Sequence, residues 1–245
     1  MEARRLEASG IIATAEGLAA RITDRFPDRG ITVVADDLAE LSRETEARLA
    51  QSTRPNWGLR ALAGALIVLG LVVVALAVSQ VRHDGDIVGL DEWLSVIQNG
   101  IQDVVFLGIA VAFLLTIEAR LRRRTMLAAL HELRSVAHVI DMHQLTKDPD
   151  SARRPDLATE HSPTRTLDRF ELSRYLDYCS EMLSVTTKLA ALYAQESDDP
   201  LVLGAVREIE GMAGALSSKI WQKIMIIDVL EDAALDGHPS THGAT

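Results

Sequence analysis

The sequence predicts an all-α integral membrane protein with two transmembrane helices and helical-hairpin, bundle-like regions in the chain to either side. Three observations predict it. From Ala61 to Val81 there are 21 residues without a charge, twelve of them Leu, Ile or Val. A second apolar run, Val104 to Ile117, has 14 residues and is followed closely by Arg120, Arg122, Arg123 and Arg124. Elsewhere apolar side chains return every three or four positions, the period of a helix with one buried face.

Composition narrows the function classes. A length of 245 residues allows one or two domains, at about 100–200 residues each. Charged residues make up 24%, yet mean hydropathy is +0.11, so the apolar residues are clustered. A net charge of −10 argues against nucleic acid as a partner, because phosphate-binding surfaces carry excess base. Cys179 is the sole cysteine, which excludes an intrachain disulfide and fits a reducing compartment. Twenty-one Arg stand against four Lys, a codon-usage hint of a GC-rich bacterial genome.

Residues 1–56 predict an N-terminal helical hairpin. Ala8, Ile11, Ala15, Leu18 and Ile22 form one stripe, and Ile31, Val34, Leu38, Leu41, Thr45 and Leu49 a second. Phe26-Pro27-Asp28-Arg29-Gly30 between them carries the Pro and Gly of a turn.

The first span is expected at 59–81, of which the uncharged run Ala61 to Val81 alone reaches roughly 30 Å at the helical rise, the thickness of the hydrocarbon layer. Trp57 and Arg60 stand at its near end as interfacial anchors do. The competing reading is a buried helix of a soluble protein. No signal peptide is expected, since the first apolar run begins near residue 60, behind a charged segment.

Residues 82–98 predict a short extracytoplasmic loop. Within it Leu90, Trp93, Leu94 and Ile97 suggest a short amphipathic helix lying on the outer leaflet or capping the bundle, with Trp93 as an interface residue. The second span, 99–119, must draw Asp103 or Glu118 toward the hydrocarbon edge. Gly108, Ala112 and Thr116 share one face and allow a neighbouring helix to approach.

Orientation follows from the basic flanks. Arg43, Arg48, Arg54 and Arg60 precede span one and the cluster at 120–124 follows span two, whereas the loop holds Arg82 and His83 against four carboxylates. Both termini are therefore expected in the cytoplasm, with the spans in the inner (plasma) membrane.

Beyond span two, Met126, Leu130, Leu133, Ala137 and Ile140 extend the helical pattern through 120–146. A flexible linker is expected at 147–167, a C-terminal helical hairpin at 168–233 and a disordered tail at 234–245. Asp168 with Glu171 has capping-box spacing, and Asp199-Pro200 reads as an N-cap followed by the first helical residue.

Few side chains point to chemistry. Asp103 has no basic neighbour within a turn, so a ring of such carboxylates could attract cations at the outer mouth of a pore. The plainer reading has it reach headgroup water and cap a helix start. Glu118 is explained by Arg122 four residues on. His131 and His138 share a face with Asp141 one turn further, but His143 points elsewhere, so one helix cannot supply a compact three-ligand metal site. Cys179 falls on an apolar stripe and reads as a small buried side chain. His238 and His242 read as solvated. Phosphate loops, nucleophile elbows and paired-cysteine zinc spacing are absent, so no catalytic residue, cofactor or metal is assigned and no enzymatic activity is expected.

The plan of two spans with flanking helices resembles mitochondrial-uniporter-like channels and small pore-forming effectors. Those channels carry an acidic motif at the start of their second span, where this chain has only Gln102-Asp103. The resemblance is architectural, and no residue role carries over. The expected function is a membrane-anchored interaction, scaffold or signalling module, with the lipid bilayer and a second copy or helical protein as partners. The alternative is an oligomeric cation channel.

Overall fold

The computed structural model describes residues 5–52, 57–83, 90–147, 160 and 167–236. They form six helices: α1 (Ala8–Arg25), α2 (Gly30–Ser52), α3 (Trp57–His83), α4 (Leu90–Leu145), α5 (Arg169–Gln195) and α6 (Pro200–Asp236). There is no strand among the described residues. Most of the expected linker, the tail from 237 with His238 and His242, loop positions 84–89 and Arg54 lie outside them. The chain divides into two compact units, one of Ser52–Thr125 and one combining Met1–Gln51 with Met126–Thr245.

The larger unit is a helical bundle in which α1, α2, the later part of α4, α5 and α6 share one apolar core. Leu18 and Ile22 of α1, Leu38 of α2, Leu133 and Ile140 of α4, Leu176 and Leu183 of α5 and Ile220 of α6 meet there. The N- and C-terminal hairpins thus cover each other's stripes, which neither could bury alone. Polar pairs at the margins set the directions. Leu6 N–H donates to Gln195 Oε1 at 2.8 Å and Arg21 pairs with Glu181 at 2.7 Å, so α1 and α5 are antiparallel. Arg48 reaches Glu132 at 2.6 Å while Gly30 lies against His143, making α2 and α4 antiparallel. Arg134 to Glu208 at 2.9 Å and Lys223 to Gln144 at 2.7 Å make α4 and α6 parallel.

Helix ends follow the local chemistry. Asp168 caps α5 reciprocally: Glu171 N–H donates to Asp168 Oδ1 at 2.7 Å and Asp168 N–H to Glu171 Oε2 at 3.0 Å. Leu201 N–H donates to Asp199 Oδ1 at 2.9 Å ahead of Pro200. In the α1–α2 turn the left-handed residue is Asp28, at φ 61°, a conformation that a short polar side chain tolerates. Gly30 instead begins α2, where a Cβ would stand 2.6 Å from His143 Cε1. The glycine is needed there for close approach. α6 continues to Asp236 through Ala233, Ala234 and Leu235, good helix formers with no breaker before Gly237, so positions 234–236 are helical rather than tail.

The smaller unit pairs α3 with the first part of α4. A Cβ on Gly70 would meet Leu107 Cδ2 at 2.5 Å, and Arg60 lies 3.8 Å from Glu118. These contacts fix an antiparallel hairpin. Two expectations change. Leu90–Asn99 is the opening of α4 and not a separate loop helix, because no proline interrupts the chain where the apolar run begins. The close approach uses Gly70, whereas a Cβ on Gly108 meets nothing within 4 Å and the face with Ala112 and Thr116 is open. Both α3 and α4 contain a stretch long and apolar enough to cross a membrane.

Candidate functional site

The densest polar chemistry gathers where the α1–α2 turn, the end of α4 and the start of α5 meet. Phe26 packs edge-on against Tyr175 and Tyr178, with ring centroids 5.5 and 6.2 Å apart. The Tyr175 hydroxyl lies 3.3 Å from His143 Nδ1. Lys147 holds its ammonium 5.1 Å from the centre of the same ring. One turn back, Gln144 is 1% exposed and fully engaged. Its Oε1 accepts from Lys223 Nζ at 2.7 Å and its Nε2 donates to Asp141 Oδ1 at 2.6 Å. An ammonium, an amide and a carboxylate form a chain whose polarity fixes the amide orientation. Lys223 also donates to the Gln144 carbonyl at 2.7 Å, placing a cation at the end of α4 where the helix dipole is negative.

This environment favours neutral forms. Burial, then the Lys147 charge, pulls His143 below its ordinary value. Burial, then Arg29, lowers Lys147. Burial raises the Tyr175 phenol. Burial pushes the Cys179 thiol up to about 12, against the opposing pull of Lys223 and Lys147. A neutral imidazole can accept the Tyr175 proton at Nδ1, whereas a buried thiol of raised pKa is a poor nucleophile. The cluster is a clasp that joins the α1–α2 turn to α4, α5 and α6.

A second polar group lies at the surface where α2, α4 and α5 meet. Arg48 pairs with Glu132 and with Glu44 at 2.8 Å, close to the buried Tyr193, whose phenol is raised by its burial.

The residues singled out by sequence separate into different settings. His131 and His138 are exposed and Asp141 is committed to Gln144, and the described residues hold no group of His, Cys, Asp or Glu fit for a metal. His143, the histidine that shares no face with them, is the one drawn into the interior. Its signal was its place three residues after core residue Ile140. Asp103 is exposed, one turn before Leu107 on the α4 stripe that faces α3. Glu118 meets Arg60 across the hairpin, a partner that spacing within α4 does not reveal. Arg120, Arg122 and Arg124 are exposed and Arg123 is half-buried. Trp57 is 75% exposed at the start of α3, and Trp93 lies in the opening turn of α4.

Comparison with protein-family models, with curated proteins and with solved structures found no match.

Proposed function

We propose that this chain is an inner-membrane protein in which α3 and α4 anchor a cytoplasmic helical bundle serving as an interaction or scaffold module. The observation that carries the membrane reading is the near-total exposure of both apolar stretches. A core helix of a soluble protein would be mostly buried, yet almost no side chain in either window is. Leu69, Leu71, Phe106, Ile109 and Phe113 are each about three-fifths exposed. Leaving such side chains in water forfeits about 1.5–3 kcal/mol apiece relative to burial, so a solvent of hydrocarbon suits them.

The bundle supports an even number of crossings. Its core mixes residues before the hairpin with residues after it, which favours a single compartment for both flanks. The basic flanks favour the cytoplasm for that compartment. On the bundle itself, Trp221, Met225 and Val229 run along one outward line of α6, exposed and four residues apart. Such a line suits a second copy or a helical protein partner.

The test has two parts. After membrane isolation, the chain is expected to resist alkaline carbonate extraction, with a C-terminal reporter active only in the cytoplasm. A periplasmic reporter signal overturns the topology. Photo-crosslinkers at Trp221 and Met225 in native membranes are expected to yield a defined adduct, and recovery of monomer alone removes the interaction role. The second reading, cation conduction, rests on the exposed Asp103 carboxylate. Liposome flux abolished by Asp103→Ala supports it, and absent or unchanged flux removes it.

A further inference from the structure

We propose that the arginine collar at 120–124, with Arg60 and Trp57, binds the phosphate headgroups of anionic phospholipids. This inference rests on the membrane reading and adds a ligand class to it. Four arginines fall within five positions of α4, and a rotation of 100° per residue spreads them over about 200° of its circumference. A pocket for one soluble anion needs side chains that converge. A collar presents guanidinium groups outward, to many small anions arranged around a helix.

The exposure fits that use. Arg120, Arg122 and Arg124 are exposed, and Arg120 and Arg124 have no acidic partner among the described residues. The neighbouring carboxylate, Glu118, is met by Arg60 at 3.8 Å. That contact also levels the two helices, and three residues further out the same antiparallel register puts Trp57 at the height of Arg120 and Arg122. An indole and guanidinium groups at one height, directly beyond exposed Ile109 and Phe113, are the chemistry of a headgroup layer. The charge of the rest of the chain sharpens the assignment. With a net charge of −10, the protein as a whole is repelled by an anionic surface, so attraction to one needs a local basic cluster, and this collar is the densest in the sequence.

The experiment uses the full chain reconstituted in phosphatidylcholine vesicles with and without phosphatidylglycerol, with boundary lipid measured by spin-labelled analogues. Each engaged arginine contributes about fivefold, so phosphatidylglycerol is expected to be preferred by about tenfold or more, and less as salt increases. The preference should fall to near parity in the quadruple variant R120Q/R122Q/R123Q/R124Q and survive in the corresponding quadruple lysine variant. Equal association of both lipids, a preference insensitive to salt, or a preference retained by the glutamine variant overturns the headgroup site. Displacement of the lipid by inorganic phosphate assigns a soluble-anion site instead and overturns it too. A chain that fails to float with either vesicle overturns the membrane reading itself. Insertion without lipid preference leaves that reading standing and removes only the collar.

Discussion

Lys223 of α6 bonds through one ammonium to both oxygens of Gln144 on α4, the backbone carbonyl and the side-chain amide, each at 2.7 Å. The carbonyl also accepts from the Lys147 N–H at 3.1 Å, but the amide oxygen is 79 residues away in sequence from the donor it depends on. Replacing Lys223 by Met should leave that buried oxygen without its bond and cost about 1–3 kcal/mol. Urea denaturation of the full chain in detergent, followed by far-UV circular dichroism, reads the change. Lys223→Arg should recover part of it. A midpoint unmoved by Lys223→Met would show that the bond contributes nothing net.

Acid should loosen the clasp around His143. Its pKa in the bundle lies below the ordinary 6.5 because burial and the Lys147 cation disfavour imidazolium. As pH falls, the unfolded chain takes up the proton first. The contribution of this group is thus fully present above about 6.5 and is lost as pH falls through the folded value. Arg29 and Lys147 surround the site with positive charge, Tyr175 remains protonated across this range, and Asp141 is turned toward Gln144. Stability should therefore decline between neutral and mildly acid solution in the natural chain, and less steeply in His143→Asn. Parallel pH slopes for the two proteins would refute the assignment.

Gly30→Ala should destabilise the bundle even though alanine is the better helix former. The added methyl would meet an imidazole held by Tyr175, and overpacking costs about 1–3 kcal/mol, more than the propensity gain at a helix start. The same substitution should cost less in a His143→Ala background, which opens the space. A double-mutant cycle on thermal midpoints measures that coupling, and strict additivity would show that the two positions do not compete.

Cys179 should resist alkylation. Its side chain is fully buried and its thiol is pushed up to about 12. Iodoacetamide labelling at neutral pH should run on the order of a thousandfold slower in the folded protein than in denaturant, since reagent must wait for opening. Labelling at comparable rates would place this part of α5 outside a stable core.

Much of the helical layout was legible in the residues, because its signals are local. The stripe from Leu172 to Tyr193, the Asp168–Glu171 cap and the Asp199-Pro200 start each lie within one element. Cys179 was legible for the same reason. The pairing of stripes was not, since Leu, Ile and Ala on one helix fit the like residues of any other. Polar clasps were hidden because their members are far apart: His143 and Tyr175 are separated by 32 residues and Arg48 and Glu132 by 84. Face-sharing along α4 drew attention to His131 and His138, but burial decides which imidazole is perturbed, and burial depends on α2 and α5. Likewise the small-residue face at Gly108 suggested a contact that the hairpin makes at Gly70.

The bundle core has a consequence for how the molecule comes into being. Ile11, Leu18 and Leu38 leave the ribosome early, but Leu183, Ile209 and Ile220, which cover them, are synthesised only after both apolar helices. At about 5–20 residues per second, the newborn N-terminal segment waits on the order of ten seconds or longer with its greasy side uncovered. Closure of the bundle thus comes last, after both apolar helices have been made, and the early segment stays open until α6 emerges.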